Sequence, residues 1–405
     1  MTHTFHSAKH WTVLTALLGG LWLCGVAQAQ GSVRPEVHKP LAAAQEALKN
    51  NQTDVALKLA ADALAVSELT AVERNAILRT RAVAATRAQN WDLVIESLEP
   101  LVVQAEITAA DKRPMLETLV SASQQMKDYP RLIKWARQYL QEGGSNPSMR
   151  TVMIQVLAVT GQHAEVVKEM LEKLRLDEAA GKKTVEEELR MLAVSYRQLK
   201  DNAGYEATLR KLLTNHPSKA YWSETISRLA RAPGLNQRLE LDLYRLLEAS
   251  GNLEEPDEFT DMAQMALRAG LPAEALRVLN VGYDKGVLGK GAEAAAHAKL
   301  KAEAQKKAQE DDKSFPQLEK SAKDGNTLAG VGDVHASKQN WAAANAAYAQ
   351  ALAAGGLRRE QELRLHYAIS LIKAGQKDQA LQQLQAVQGD STAVGIASLW
   401  ALLAK

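Results

Sequence analysis

The side chains able to do chemistry are few and poorly spaced for it. Six histidines lie beyond residue 29: His38, His163, His216, His297, His335 and His366. None belongs to an HExxH pair, which would put two imidazoles and a general base on one helical face for zinc. The one cysteine, Cys24, sits in the N-terminal apolar run. No GxSxG nucleophile turn, GxxxxGK[ST] phosphate loop or strand-borne GxGxxG is present. "GVLGKG" at 286–291 lacks the hydroxyl residue after lysine and reads as a helix-to-helix turn. Asp311-Asp312 and Glu186-Glu187-Glu188 are sequence neighbours, so on a helix they point about 100° apart and cannot face one substrate bond. His335 and His366 fall on the first helices of neighbouring repeats and could approach each other. Packed or solvated imidazoles are expected for both. No catalytic residue, metal site or cofactor is expected, and the reading is not an enzyme.

What recurs instead is a phrase of about 34 residues. Leu328, Val331, Gly332 and His335 fall at helical spacing, a break precedes Trp341, and Ala344, Tyr348 and Ala351 follow. Tyr367, Ala368 and Leu371, a break at Gly375, then Ala380, Leu384 and Val387 repeat the grammar. One helix pair cannot bury its apolar face alone, so such a chain must stack pair on pair. Small residues are expected where the two helices touch: Gly332, Ala368 and Ala263 on the first, Ala275, Ala344 and Ala380 on the second. Large ones (Tyr348, Leu384, Leu279) fill the space toward the next pair. Val94, Leu132, Val166 and Tyr205 depart from that rule, through looser crossing or a shifted register. Trp91 and Trp341 open second helices, while Trp135, Trp222 and Trp400 fall on apolar faces, so all five read as packing residues.

Composition agrees. Of 405 residues, 46% are apolar and only 3 are Phe. That excludes disorder and favours close-packed helices. A net charge of +2, with basic residues scattered, gives no footprint for nucleic acid. Lys9 and three histidines precede an apolar run from Trp11 to Val26, and Ala27-Gln28-Ala29 then offers small residues for cleavage. This is the pattern of a secretory signal peptide. Trp22-Leu23 before Cys24 is the wrong context for a lipid anchor. Cleavage after Ala29 leaves a chain with no thiol, which suits an oxidising compartment. The expected organisation is a signal peptide at 1–29, a linker at 30–40, degenerate repeats at 41–217, and repeats with a terminal capping helix (Val394 to Leu403) at 218–405. The stretch Ala292 to Gln309 reads as a solvated helix in a degenerate repeat.

"LAGVGDVHASKQNWAAANAAYAQALAAG", "LRLHYAISLIKAGQKDQALQQLQAV" and "FTDMAQMALRAGLPAEALRVL" resemble tetratricopeptide repeats. The resemblance implies an all-α fold, an α-solenoid of stacked antiparallel helix pairs in a right-handed superhelix. The region from Leu241 to Gly291, with the terminal repeats, is similar to secreted bacterial proteins of this class. Some of those accompany TonB-type systems in the periplasm.

In such an architecture the first helix of each pair lines the concave wall. Its polar positions include Arg87, Gln124, Gln125, Gln155, Arg190, Arg197, Gln198, Arg231, Gln264 and Arg268. Arginine forks suit carboxylates and glutamine amides suit backbone groups, which favours an extended peptide or acidic tail. The expectation is a non-catalytic periplasmic scaffold for protein partners, with no nucleic acid and no stable membrane insertion after cleavage, serving assembly or regulation of a cell-envelope complex. The alternative is a periplasmic binder of a small molecule, peptide or glycan in the groove.

Overall fold

The computed structural model describes residues 33–404, and the expected signal peptide at 1–29 lies outside them. Among the described residues there are twenty α-helices, one short 3-10 turn and no strand. The chain is all-α, built of stacked helix pairs. The described residues form two compact units, 33–173 and 174–404.

The first unit contains α1 (Pro35–Lys49) and α2 (Thr53–Leu64), α3 (Ala71–Arg87) and α4 (Trp91–Val102), and α5 (Ala109–Gln125) and α6 (Tyr129–Gln141). It ends with α7 (Pro147–Val159) and most of α8 (His163–Ala179). Residues 35–40, expected in the linker, are the first turns of α1. The cause is an anchor rather than propensity. Arg34 donates its backbone N–H (2.9 Å) and its guanidinium (3.0 Å from each oxygen) to Glu73. Glu73 also closes a capping box with Thr70. The Arg34 hydrogen bonds hold the Glu73 carboxyl down to a pKa of about 2, and Val37 is fully buried behind them. Pro35 then takes the first helical position, where its missing N–H costs nothing.

The second unit contains α9 (Glu186–Gln198) and α10 (Asn202–Asn215), α11 (Lys219–Ala230) and α12 (Glu240–Ala249), and α13 (Pro256–Arg268) and α14 (Pro272–Asp284). A single long helix, α15 (Ala294–Ser321), interrupts the pairing. Then come α16 (Gly325–Ser337) and α17 (Trp341–Ala354), α18 (Glu360–Lys373) and α19 (Lys377–Gln385), and α20 (Ser391–Leu403). As expected of a solvated helix, α15 buries only His297, Ala304 and Phe315. Asp311 and Asp312 reach Lys338 at 3.6 and 2.7 Å.

One turn builds most pairs. Asn51, Gln89, Lys127, Gly161, Lys200, Gly270, Gln339 and Gly375 each follow a first helix with φ between 54° and 77°. Each donates to the carbonyl three residues back, and the next residue donates five back, as Gln89 to Thr86 and Asn90 to Ala85. This closes the helix with a left-handed residue. The following residue often opens the second helix: the side chains of Asn90, Asp128, Asp201 and Asn340 each accept an N–H three residues on. Dipeptides such as Gln-Asn and Lys-Asp thus stop one helix and start the next.

Seven residues before each left-handed position lies a buried contact: Ala44, Ala82, Val120, Ile154, Ala193, Ala263, Gly332 and Ala368. The fourth residue of the second helix faces it. Ala56, Val94, Leu132, Val166, Ala275, Ala344 and Ala380 are all 0% exposed there. Val94, Leu132 and Val166 therefore keep the register, and only Tyr205 stays half-buried. The small-large rule is strict at Gly332, where a Cβ would lie 2.5 Å from the Tyr348 ring.

The second unit departs from a simple array. Its last helix, α20, is apolar nearly all round, so one buried face is not enough. It packs on α12 as well as on α18 and α19. Trp222, Ile226, Leu243, Leu246, Leu365, Ile369, Ile396 and Trp400 share one core cluster. The Asn236 side chain donates to Asp390 (2.9 Å), and the Asn236 N–H to the Thr392 hydroxyl (3.3 Å). The expected capping helix is present, but it closes α11–α20 back on itself rather than covering an open end.

Candidate functional site

Two sets of residues could recognise something. The first is the row read from the sequence. Arg87, Gln124, Gln125, Gln155, Arg190, Arg197, Gln198, Gln264 and Arg268 all lie on first helices, and Arg231 just past the end of α11. All are exposed except Gln124, which is half-buried. Three have local partners: Arg87 with the Leu48 carbonyl, Arg190 with Glu187 (3.7 Å) and Arg231 with the Ser227 hydroxyl (3.1 Å). The side chains of Gln124, Gln155, Arg197, Gln198, Gln264 and Arg268 make no hydrogen bond or ion pair with another described residue. The row is shared between the units: Arg87, Gln124, Gln125 and Gln155 belong to the first, the rest to the second. Arg190, Arg197 and Gln198 share α9, and Gln264 and Arg268 share α13.

The second set was not foreseen. Helix α12 carries Asp242, Arg245 and Glu248, and α14 carries Glu274 and Arg277. Residues three apart share a helical face, so each helix presents an alternating ladder of charge. Arg245 donates to Asp242 (2.8 Å) and forks onto both oxygens of Glu274 (2.8 and 2.6 Å). Arg277 forks onto Glu248, its Nη2 at 2.9 Å from Oε2. From α18, His366 reaches Asp242 (3.3 Å) and Asp333 of α16 (2.8 Å). The Tyr348 hydroxyl of α17 donates to the same Asp333 oxygen at 2.7 Å. Five helices are thereby tied by charge-assisted hydrogen bonds, stronger than neutral ones.

The cluster is ionised. Burial alone would lower the His366 pKa, but Asp242 and Asp333 outweigh it and push it up to about 10. Burial alone would raise Asp242, yet His366 and Arg245 hold it at about 2. Asp333 is lowered for the same reason. Burial and the adjoining Asp333 charge raise the Tyr348 phenol well above its ordinary value, so it stays a donor. His335 also has a carboxylate partner, Glu319 at 2.7 Å, and its ring stands edge-on to Phe315. The expectation that both imidazoles are merely packed or solvated is therefore corrected. The partners come from other helices, where spacing along one helix cannot reveal them. The available signal was the pair of D-x-x-R and E-x-x-R spacings inside otherwise apolar helices.

Beside this cluster lies a cavity of about 200 Å³, with Arg245, Glu274, Arg277, Glu248, Asp333 and His366 in its wall. Trp341, Tyr348, Ser370, Lys373 and Trp400 complete it. A second hollow of about 310 Å³ shares Asp333, Tyr348 and His366 and reaches the exposed Arg358 and Arg359. Among the described residues no group of three or more His, Cys, Asp or Glu could hold a metal ion. None of their helices is long and apolar enough to cross a membrane.

The sequence matches no family model, and no curated protein matches it. Among solved structures, a tetratricopeptide repeat protein from Parabacteroides merdae is 10% identical. That alignment covers 84% of this chain and 100% of the other, with a TM-score of 0.31. The C-terminal part of a TPR repeat-containing protein from Cytophaga hutchinsonii is 14% identical over 79% of this chain and 97% of its own, TM-score 0.28. Yeast Tom70 is 11% identical over 89% and 94%, TM-score 0.26. Superpositions this loose bear on neither function nor partner. The helix-pair architecture rests on the turns and contacts of the chain itself.

Proposed function

We propose that this protein is a non-catalytic helical-repeat scaffold that binds a protein partner through polar side chains of its first helices. The observation that supports it is the unspent hydrogen-bonding capacity of Arg197, Gln198, Gln264 and Arg268 in the second unit and of Gln124 and Gln155 in the first. These side chains suit an extended, acidic segment of a partner, with forks on carboxylates and amides on its backbone. The N-terminal pattern supports a periplasmic setting for the scaffold, reached by cleavage after Ala29. There it serves assembly or regulation of a cell-envelope complex, of the kind associated with TonB-type systems.

Two measurements test this reading. Mass spectrometry of the exported chain is expected to find Gln30 as its first residue, and a chain retaining its first 29 residues in the cytoplasm removes the periplasmic assignment. Crosslinking in intact cells is expected to give a defined adduct that Arg197→Glu with Arg268→Glu abolishes while helical content is unchanged. An adduct indifferent to both charge reversals overturns the first-helix surface.

A further inference from the structure

We propose that the cavity lined by α12, α14, α16, α17, α18 and α20 in the second unit is a binding site for a small zwitterion of the amino-acid class. The inference is independent of the scaffold reading, since no residue of the first-helix row lines the cavity.

The walls come first. They are drawn from α12, α14, α16, α17, α18 and α20, the last contributing Trp400. About 200 Å³ falls below the ~300–1,000 Å³ of sites for drug-sized molecules, so the guest is small.

Hydrogen-bonding capacity comes next. The Trp400 indole N–H and the Ser370 hydroxyl find no partner among the described residues, although both side chains are 1% exposed. An indole N–H can only donate, and a buried donor without an acceptor is costly. A guest with acceptor oxygens answers both groups at once. On the opposite side, Asp333 spends one oxygen on Tyr348 and His366. Its other oxygen receives no hydrogen bond from a described residue and is open to a donor. The site thus asks for acceptors at the α18–α20 side and for a donor at α16.

Charge balance fixes the class. Arg245, Arg277 and His366 face four carboxylates: Asp242, Glu248, Glu274 and Asp333. That leaves one negative charge in surplus, which Lys373 in the wall offsets. A net-charged guest would leave an uncompensated charge beside the buried ion pairs of the wall. A molecule with a carboxylate and an ammonium adds none. Its carboxylate takes the Trp400 and Ser370 donors beside Lys373, and its ammonium takes the free oxygen of Asp333.

The test uses the full exported chain and follows thermal unfolding and tryptophan fluorescence with glycine, serine and glutamine at millimolar concentration. Acetate, methylammonium and glycerol are the controls. At least one amino acid is expected to raise the unfolding midpoint while the controls do not. Trp400→Phe removes the N–H together with part of the indole, and Ser370→Ala removes the hydroxyl. Each is expected to weaken binding about tenfold or more, one lost hydrogen bond's worth. Ser370→Ala should not lower the unfolding midpoint of the ligand-free protein, because it deletes a donor that had no partner. Trp400→Phe leaves a void in the core and lowers that midpoint, so its ligand response is read against its own ligand-free midpoint. Arg197→Glu is expected to bind like the parent, which separates this site from the scaffold surface. Stabilisation by glycerol or acetate in preference to the amino acids overturns the class. No effect of any amino acid, or unchanged binding by both variants, leaves a cavity that holds water only and overturns the site.

Discussion

His366 shows what a single residue does when the fold surrounds it with carboxylates. Its pKa rises from 6.5 to about 10 because Asp242 and Asp333 favour the imidazolium. In the unfolded chain it returns to an ordinary value. The folded state therefore binds the extra proton between these two values. The stabilisation is complete below pH 6.5, falls by about 1.4 kcal/mol per pH unit at most as pH rises, and is gone above about 10. Denaturant midpoints measured from pH 6 to 10 should decline for the parent and lose that slope in His366→Gln. Equal slopes in the two proteins would show that the imidazolium does not hold these helices. Nothing in the sequence announced this role. Asp242 lies 124 residues from His366, and a search for partners along one helix cannot reach it. The exposure of the arginines and glutamines of the first helices is, by contrast, a matter of local periodicity, since each falls on the polar face of its own helix.

Elements were legible where local chemistry decides them and obscure where tertiary contact does. The turns are local: a polar dipeptide after an apolar run, such as Gln89-Asn90 or Lys127-Asp128, both ends and begins a helix. The start of α1 is not, because two prolines read as a linker until Arg34 finds Glu73 across 39 residues. The turn also carries a testable cost. A left-handed residue with a side chain is strained by roughly 1–2 kcal/mol, and glycine is not, although glycine gives back some of this as unfolded-chain entropy. Gln89→Gly, at φ 54°, is expected to stabilise the protein by roughly 0.5–1 kcal/mol, seen as a higher urea midpoint. A lower midpoint would mean that the Gln89 side chain contributes a contact of its own. Inside the pairs the opposite holds. Ala344 is 0% exposed at a helix crossing, so Ala344→Leu is expected to destabilise by ~1–3 kcal/mol through overpacking. An unchanged melting temperature would reject the register that places it there.

At the scale of the whole second unit, closure changes how stability is shared. In an open array each repeat leans on its neighbours, and losing the last element costs the last repeat. Here α20 contributes Ile396, Leu399 and Trp400 to the same cluster as Trp222, Ile226 and Leu246. Asn236 meets Asp390 and Thr392 across 154 and 156 residues. The sequence placed α20 correctly as a terminal apolar helix, but helical periodicity carries no information about which distant surface such a helix covers. A chain ending at residue 390 separates the two pictures. Amide exchange is expected to accelerate in α11 and α12, at 219–230 and 240–249, as strongly as in the adjacent α18 and α19. Those first two helices lose the cover over Trp222 and Leu246, and the ionic cluster on Asp242 and Arg245 opens to water with them. If protection in α11 and α12 survives while only α18 and α19 fray, the unit is an ordinary array whose ends merely touch, and Trp400 does not hold the cavity wall together.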